Sequence, residues 1–443
     1  MTQDQPWVVT GIVAPSSPGV RPGDVLVVSQ LSAGQDTVTC GSASLIAGEL
    51  RRAGLTVHSG TLDDLGVTAD EPVIAAALGQ DTAERPCAIA LTAATAATAD
   101  SSTPTPDAVD RVLSRWRAAL GPRTVLLAEP QSFCAGVERA IEIVEIALAR
   151  FPHPVYMRKQ IVHNTHVVRD LASRGAVFVD ELDEVPEGAT VVFSAHGVAP
   201  AVRQDAEKRG LNVIDATCPL VSKVHAEVRR YAMRGDRVYL IGHAGHEESD
   251  GTLGEAPGRT VLVQTAEDVR LLPDSDAPAA YVMQTTLGAD EAETVVDALE
   301  QRFPGIRGPA SDDICYATTN RQNAVRAVAA DADLLLVVGS ANSSNSLRLV
   351  ERSAAAGTRA LLVEDIGEVP LADLAGVRTV GVTAGASAAP ALVDEIVANL
   401  QALGPVDTRT VRVAHETIRF GLPSGLSSLP ARASAAETGQ AER

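Results

Sequence analysis

From residue 124 onward, short apolar runs alternate with longer stretches in which apolar residues recur every three or four positions. The short runs are rich in Val, Ile and Leu, which is typical of buried strands, and the longer stretches have the spacing of amphipathic helices. Regular alternation of strands and helices predicts parallel sheets, because a helical crossover usually joins two parallel neighbours. The pattern therefore predicts an α/β fold.

The alternation is organised as an internal repeat of three copies. In each copy a strand runs into a cysteine and a helix begins just after it, as in TVLLAEPQSFC-AGVERAIEIV, LNVIDATC-PLVSKVHAEV and GPASDDIC-YATTNRQNAV. A polar cluster follows the next strand, and each copy closes on a further strand and a second polar turn, in VVFSAHG, YVMQTTLG and VGVTAGAS. The intervals from cysteine to first polar cluster are 29, 28 and 28 positions, for Cys134 to His163, Cys218 to His246 and Cys315 to Ser343. This regularity predicts three pseudo-equivalent α/β units.

Every cysteine and every polar cluster of the repeat follows the carboxyl end of a predicted strand. Ligands bind outside these ends in open α/β sheets. Three like units around a pseudo-threefold axis would direct all these ends toward one central cavity, in a trefoil-like arrangement. We therefore expect the three thiols to converge.

The rest of the chain has a different character. Residues 1–98 predict a small α/β module of unreadable role, with Cys40 and Cys87 as structural cysteines. Residues 99–121 predict an Ala-, Thr- and Pro-rich linker and a short helix, and residues 122–407 contain the three units. The C-terminal tail, residues 408–443, is expected to be largely disordered because its end is rich in Ser, Ala, Gly and Glu.

Composition excludes several classes of function. A net charge of −19 argues against nucleic-acid binding, which needs clustered Lys and Arg. The sequence has no apolar run long enough to span a membrane, and its N-terminus lacks a signal pattern, so a cytoplasmic protein is expected. Five cysteines in 443 residues are then unlikely to form disulfides. Structural thiols, a metal site and catalysis remain.

Three converging thiols suit a metal or a cluster better than a disulfide, which needs only two. Thiolates hold iron–sulfur clusters, and a [4Fe–4S] cube with three cysteine ligands leaves one iron open. An open coordination position can bind and polarise a substrate oxygen. Taken singly, each cysteine could equally be a small buried core residue, but equivalent placement in the repeat disfavours that alternative.

The polar clusters suggest anion and proton chemistry. The candidates are His163 and Asn164; His196; His243, His246 and Glu248; Thr285 and Thr286; Ser343, Ser344 and Asn345; and Ser387. Imidazole, hydroxyl and amide donors beside helix N-termini fit the capture of a diphosphate. Glu248 is the candidate acid because it is the carboxylate nearest the histidines, and Glu247 is a candidate solvated residue. Structural histidines, plain Ser/Asn turns and helix N-caps remain open as alternatives.

Nine short motifs carry a resemblance to a known family: FCAGVERAI, HN, SAHG, DATCPLVSKVH, IGHAGHEE, QTTL, DDICYATTNRQNAV, VVGSANSSNS and GVTAGAS. In content, order and spacing they resemble the LytB family of 4-hydroxy-3-methylbut-2-enyl diphosphate reductases, over about residues 122–404. The resemblance implies an oxidoreductase of the last step of the non-mevalonate (MEP) isoprenoid pathway. Such an enzyme reductively removes a hydroxyl from the allylic diphosphate and forms isopentenyl and dimethylallyl diphosphates.

The resemblance also implies a cofactor and a set of site residues. It implies one oxygen-sensitive [4Fe–4S] cluster per subunit, held by Cys134, Cys218 and Cys315, with the substrate hydroxyl on the open iron. The family's diphosphate-binding residues match His163, His196, His246, Ser343, Ser344, Asn345 and Ser387. Its proton-delivering glutamate matches Glu248, with Thr285 near the substrate hydroxyl. A ferredoxin or flavodoxin is the implied electron donor.

Two other functions stay open on the residues alone. One is a zinc-dependent hydrolase with Cys and His ligands, and the other is an iron–sulfur redox sensor, against which the dense His, Ser, Asn and Thr set argues. The sequence also departs from the family pattern twice. Gln131 and Ser132 stand where an Arg-Gly pair is common, and Glu247 stands where a Pro is common. Neither change removes a predicted ligand.

Overall fold

The structure is a computed structural model that describes residues 7–9, 25–28, 30–33, 36–39, 41–60, 74–77, 88–91, 106–275, 277–423 and 426. Cys40 and Cys87, expected to be structural cysteines, lie outside these residues, as does most of the expected linker. None of the described helices combines the length and apolar character that crossing a membrane requires.

The described part of the N-terminal module has strands β1 (Trp7–Val9), β2 (Val25–Val28), β3 (Gln30–Ala33), β4 (Asp36–Thr39), β5 (Val57–Gly60), β6 (Ile74–Ala77) and β7 (Ala88–Leu91), and helix α1 (Ala43–Arg52). One sheet has the order β1-β6-β7-β2-β5, and β3 pairs with β4. Helix α1 buries Leu45, Ile46 and Leu50 in a core shared with Trp116 and with the last third of the chain. The indole of Trp116 donates to Ser42 Oγ over 3.0 Å. Helix α1 is therefore anchored to the rest of the molecule.

The remaining strands are β8 (Arg123–Glu129), β9 (Val155–Arg158), β10 (Ala176–Val179), β11 (Thr190–Phe193), β12 (Asn212–Asp215), β13 (Arg237–Ile241), β14 (Thr260–Val263), β15 (Ala279–Met283), β16 (Leu334–Val338), β17 (Ala360–Val363), β18 (Thr379–Ala384) and β19 (Val406–Arg412). The helices are α2 (Pro106–Ala119), α3 (Ala135–Arg150), α4 (Thr165–Ser173), α5 (Pro200–Lys208), α6 (Pro219–Met233), α7 (Glu247–Leu253), α8 (Ala266–Arg270), α9 (Ala289–Arg302), α10 (Tyr316–Ala329), α11 (Ser344–Ala355), α12 (Leu371–Leu374) and α13 (Pro390–Ala402). Residues Leu182–Glu184 and Ile366–Glu368 form 3-10 helices.

Three sheets define three lobes. The first lobe has the strand order β10-β9-β11-β12, the second β14-β13-β15, and the third β17-β16-β18-β8-β19. Every pairing within these sheets is parallel. The prediction of an α/β fold with three pseudo-equivalent units is confirmed.

The sheets differ from the sequence repeat in one respect: the chain changes lobe at each cysteine. Strand β8, which leads to Cys134, pairs with β18 of the third lobe, and β12, which leads to Cys218, pairs with β11 of the first. The strand expected in GPASDDIC, the described residues 308–315, does not form, and one bridge between Ala280 and Arg307 immediately precedes this segment. The cysteine loops therefore lie at the boundaries between lobes.

The C-terminal boundary also differs from the expectation. Strand β19 pairs with β8 along Val406–Arg412, so the tail expected from residue 408 begins inside a strand. Beyond the strand, Leu422 and Leu426 pack on the core of the first lobe. Strand β19 is mostly exposed, and backbone hydrogen bonds rather than an apolar face hold it, so the hydrophobic pattern does not reveal it.

Candidate active site

The strand ends of the three lobes surround one cavity, which has about 760 Å³ of empty space when the solvent at its open mouth is included. It brings together all the site residues that the family resemblance implies: Cys134, Cys218, Cys315, His163, His196, His246, Glu248, Thr285, Ser343, Ser344, Asn345 and Ser387. Among the described residues that line it there is no Lys or Arg. A ligand anion would therefore be bound by neutral donors, helix N-termini and imidazoles.

The three cysteines have equivalent local structure. Each is the N-cap of a helix: Cys134 of α3, Cys218 of α6 and Cys315 of α10. Each backbone N–H donates to a carbonyl in the polar turn of the lobe that the chain has just left. The acceptors are Ala386 O for Cys134 (3.1 Å), Ala195 O for Cys218 (3.0 Å) and Thr285 O for Cys315 (2.9 Å). The repeat thus fixes three cysteine backbones in one way.

The thiols of Cys134 and Cys218 flank the first turn of α3. A Cβ atom added to Gly136 would lie 2.8 Å from Cys218 Sγ and 3.8 Å from Cys134 Sγ. A side chain at position 136 would therefore push into the space between the thiols. The glycine is needed here for close approach rather than for backbone freedom.

The electrostatics of the thiols indicate what they can hold. Burial raises the pKa of Cys218 to about 12, and the thiols of Cys134 and Cys315 add to the effect. Burial and Cys134 likewise raise the pKa of Cys315 to about 11. Three thiolates at this site would repel one another unless a cationic group bridged them, and helix N-termini alone supply only partial charge. The donor set suits a sulfur-binding metal centre such as an iron–sulfur cluster.

Three histidines from two lobes form a compact cluster. The rings of His163 and His196 stack with centroids 4.1 Å apart, and His246 meets them edge-on at 5.3 and 5.8 Å. Burial and the neighbouring imidazoles lower the pKa of His163 to about 2 and that of His246 to about 3. In the absence of an anion these two rings are neutral, because a positive charge here would be desolvated and repelled.

The orientation of two of the rings is set by their neighbours. His246 Nδ1 accepts from the backbone N–H of Glu248 (3.2 Å), so the neutral ring carries its proton on Nε2. His196 Nδ1 lies 3.1 Å from Glu247 Oε2. Glu247, considered as a solvated residue from sequence, therefore contacts the cluster. Ligand atoms of His163, His196 and Glu247 lie within 4.8 Å of one another, close enough to hold a metal ion.

Glu248 is a buried carboxyl paired with one residue. Its Oε1 accepts from the Thr285 N–H (2.6 Å), and its Oε2 lies 3.0 Å from Thr285 Oγ1. The side chain is 2% exposed, and this burial raises the pKa of Glu248 above its usual value, although the two hydrogen bonds from Thr285 oppose the rise. A carboxyl in such surroundings can hold a proton near neutral pH and release it when charge develops nearby.

The hydroxyl and amide groups of the cavity form a polar corner beside the histidines. Ser343 is the N-cap of α11 and also lines the cavity, so capping and ligand binding coexist there. Ser387 Oγ donates to the His163 carbonyl (2.9 Å). Asn345 is buried, and neither of its side-chain polar atoms has a hydrogen-bond partner within the described part of the protein. Buried amides without partners are costly, which marks this corner as a binding site for a polar ligand.

Two predicted residues lie outside the cavity lining, and two residues that line the cavity were not predicted from the sequence. His243 Nε2 lies 3.0 Å from Glu291 Oε1, outside the cavity lining, and Asn164 caps α4 by accepting from Val167 N–H. Thr286 lines the cavity, as do Tyr316 and Phe420, which the sequence analysis missed. Tyr316 directly follows a cysteine and could have been suspected. Phe420 lies in the expected tail, where no pattern points to it.

The part of the chain that forms the three lobes is similar to many known proteins. Residues 125–401 match the family model described as LytB protein. The chain is 56% identical over 311 residues to 4-hydroxy-3-methylbut-2-enyl diphosphate reductase 2 of Mycobacterium bovis, covering 69% of this chain and 94% of the relative. It is 53% identical over 309 residues to 4-hydroxy-3-methylbut-2-enyl diphosphate reductase of Burkholderia pseudomallei, covering 70% and 99%.

One solved structure supports the same relationship. The E-1-hydroxy-2-methyl-but-2-enyl-4-diphosphate reductase of Plasmodium falciparum superimposes with a TM-score of 0.67 at 36% identity. The match covers 69% of this chain and 98% of that protein. The N-terminal module therefore lies outside the part that these proteins share with the chain.

Proposed function

Because the chain belongs to the LytB family, whose model matches residues 125–401, we propose that it is a reductase of 4-hydroxy-3-methylbut-2-enyl diphosphate. The reaction is the last step of the MEP isoprenoid pathway and yields isopentenyl and dimethylallyl diphosphates. The observation that carries the proposal is that all twelve residues matched to the family's site line one cavity.

LytB enzymes are iron–sulfur proteins, and the donor set of this chain fits such a group. Cys134, Cys218 and Cys315 would hold one [4Fe–4S] cluster per chain. When bound, the cluster supplies electrons and a Lewis-acidic position for the substrate oxygen. The repulsion that three thiolates would feel at this site supports the assignment, because a bridging cationic group removes it.

The diphosphate would occupy the corner formed by His163, His196 and His246 on one side and the Ser–Asn turn on the other. Ser343 and Ser344 supply hydroxyls at the N-terminus of α11, where backbone N–H groups attract anions. Asn345 would gain the hydrogen-bond partners that it lacks. A bound anion would attract the protonated rings and so oppose the burial and imidazole repulsion that lower the histidine pKa values, which would favour protonation of the rings.

Glu248 and Thr285 would deliver the proton that lets the substrate hydroxyl leave as water. A protonated Glu248 can donate from Oε2 to Thr285 Oγ1 across their 3.0 Å contact, and the Thr285 hydroxyl can pass its own proton onward. The elevated pKa of Glu248 keeps the proton available near neutral pH. Phe420 and Tyr316 add apolar wall to the cavity and restrict bulk water.

A reductase needs a source of electrons, and we propose a small carrier of the ferredoxin or flavodoxin type. The zinc hydrolase is not favoured, although His163, His196 and Glu247 could hold an ion, because the relatives are named as reductases. A redox sensor is not favoured either, because sensing does not require the set of His, Ser and Asn side chains that would bind a diphosphate.

Anaerobic reconstitution with iron and sulfide tests the proposal. We expect a brown protein that converts the hydroxylated diphosphate into the two isoprenoid diphosphates when a chemical reductant is supplied. Metal analysis and product identification are the readouts. A colourless protein that binds zinc and hydrolyses the substrate, or a brown protein without turnover, would contradict it.

A further inference from the structure

Three basic side chains outside the cavity donate hydrogen bonds to the loops that carry the cysteines. The first is Arg321, which is fully buried on α10, the helix that begins at Cys315. Its guanidinium donates to Ser132 O over 2.7 Å and to Phe133 O over 3.3 Å. These are the two carbonyls immediately before Cys134. The helix of one cysteine thus holds the loop of another, 189 positions away.

Arg139 makes the corresponding contact one lobe further on. It lies buried on α3, the helix that begins at Cys134. Its Nη1 donates to Ala216 O (3.3 Å) and Thr217 O (3.0 Å). These are the two carbonyls immediately before Cys218.

Lys223 completes the pattern. It lies on α6, the helix that begins at Cys218. Its ammonium donates to Ser311 O (2.8 Å) and Asp312 O (3.0 Å), and it pairs with Asp313 Oδ1 (3.0 Å). These groups form the loop before Cys315.

The three contacts are cyclic. Arg139, Lys223 and Arg321, here called the cation ring, follow their own cysteines by 5, 5 and 6 positions. Each joins the first helix of a lobe to the loop through which the chain leaves that lobe, and this loop carries the next cysteine around the pseudo-threefold axis. Equivalent placement in three lobes that share little sequence at these helices indicates a common task rather than three unrelated surface contacts.

We propose that the cation ring positions the three cysteines for cofactor binding and contributes positive charge around the cluster, an inference that rests on the proposed function. Each cation donates to two adjacent carbonyls and so fixes the loop that precedes a cysteine ligand. Hydrogen-bond partners outside the coordination sphere orient other metal ligands in the same way. A cluster held by three thiolates is anionic, so nearby cations also favour its reduced, more negative form. Glu416 partly offsets Arg321, and Asp313 partly offsets Lys223. The Arg139 guanidinium donates to three carbonyls, those of Ala216, Thr217 and Gly421.

The first test uses the cluster-free protein and probes position. Arg321→Gln, Arg139→Gln and Lys223→Gln are compared with wild type, with Arg174→Gln as the control, because Arg174 is an exposed arginine paired with Glu145. Brief alkylation followed by peptide mass spectrometry gives the reactivity of each cysteine. We expect each variant to speed alkylation of the cysteine whose loop the replaced cation binds. This cysteine is Cys134 for Arg321→Gln, Cys218 for Arg139→Gln and Cys315 for Lys223→Gln. Equal acceleration at all three thiols, or none, would overturn the positioning role.

The second test uses the reconstituted protein and separates charge from geometry. We expect the Gln variants to lose iron to a chelator about 10- to 100-fold faster than wild type, and the reduction potential of the remaining cluster to become more negative. Arg139→Lys should restore the potential while only partly restoring iron retention, because it keeps the charge but loses the fork of donors. An unchanged potential in Arg139→Gln would remove the electrostatic part of the proposal.

Failure of the ring and failure of the proposed function have different signatures. If wild-type protein takes up no iron–sulfur cluster, the proposed function fails, while the alkylation pattern still reports on the ring. If wild type holds a cluster, and the variants match it in cysteine alkylation rates and in iron retention, only the proposal for the cation ring fails. Circular dichroism of each variant identifies any that is misfolded, for which the Lys variants at positions 139 and 321 replace the Gln variants.

Discussion

At the residue scale, the site combines groups whose ordinary chemistry is altered by burial. His163 and His246 stay neutral, and Glu248 tends to keep its proton, because each charged form would be desolvated. The sequence could name these residues, since they fall at equivalent places in the repeat. It could not give their protonation, because that depends on burial and on neighbours that are distant in the sequence.

Glu248→Gln tests the proton-delivery role. The amide keeps the size of the side chain and can still accept from the Thr285 N–H, but it has no acidic proton to deliver. We expect turnover to fall about 10²- to 10⁴-fold while iron content stays that of wild type. Glu267→Gln, an exposed change in the same lobe, is the control. Turnover within the range of the control would remove Glu248 from the mechanism.

Ser132 explains one departure from the family pattern in physical terms. Its φ is 61°, in the left-handed region that favours glycine. An Arg-Gly pair is common at this place in the family, so this chain has a Cβ where the backbone prefers none. The other departure, Glu247, is the first residue of α7, a position where both Pro and an acidic residue are favoured.

Ser132→Gly should therefore stabilise the protein. Glycine removes the strain of a Cβ atom at a left-handed φ, so the free energy of unfolding should rise by about 1 kcal/mol. Denaturant titration of the cluster-free protein measures this change. Ser132→Ala is the matched control, because it removes the hydroxyl and keeps the Cβ. A gain of equal size in both variants would mean that the hydroxyl, and not the backbone, is responsible.

At the element scale, the sequence located most helices and strands but not their partners. The helices after the three cysteines begin at the residue following each cysteine, as the repeat predicted. The pairing of β8 with the third lobe, the edge strand β19 and the bonds of Arg139 and Arg321 were not predicted. The bonds of Arg139 and Arg321 join residues 77 and 189 positions apart, and contacts at such separation leave no periodicity in the sequence.

The histidine cluster joins turns that follow strands of two lobes, so its protonation should loosen their contact. The folded-state pKa values of His163 and His246 lie below the unfolded value of about 6.5. The unfolded chain therefore binds more protons, and stability is complete above about pH 6.5 and declines as the pH falls below it. At pH 5 the loss should approach about 2 kcal/mol for each ring.

Denaturant unfolding of cluster-free wild type and His163→Asn between pH 8 and about pH 5 measures this loss. Taking the difference between the two proteins cancels the titration of other groups, including the opposing contribution of Glu248. The variant should lose less stability on acidification than wild type. Inorganic pyrophosphate should reduce the loss in wild type, because an anion in the corner favours charged rings. Parallel curves for the two proteins would contradict the assignment.

At the scale of the whole molecule, the cavity exists only where the three lobes meet. Each lobe has apolar residues of its own, the cysteine loops lie at the boundaries between lobes, and the cation ring joins the first helix of each lobe to the cysteine loop at its end. The sequence predicted the meeting point, because equal spacing in three copies implies equal placement. The described part of the N-terminal module does not contribute to the site, since none of its residues lines the cavity.

A chain that begins at residue 106 should keep cluster binding and turnover but lose stability. The curated relatives are covered to 94 and 99% of their length by about 70% of this chain, so their shared region does not require the module. Removal of α1, however, uncovers the surface that buries Leu45, Ile46 and Leu50. Each buried aliphatic side chain is worth up to about 1.5–3 kcal/mol, so thermal unfolding should occur at a clearly lower temperature.

Ile46→Ala in the full chain tests the same contact without truncation. It should cost about 2–5 kcal/mol, while Arg51→Ala on the exposed face of the same helix should change little. Iron content and turnover should match wild type in both variants, because the contact lies against the third lobe's helices and not at the strand ends. A truncated chain that unfolds like wild type but no longer binds iron would instead make the module part of the reductase site.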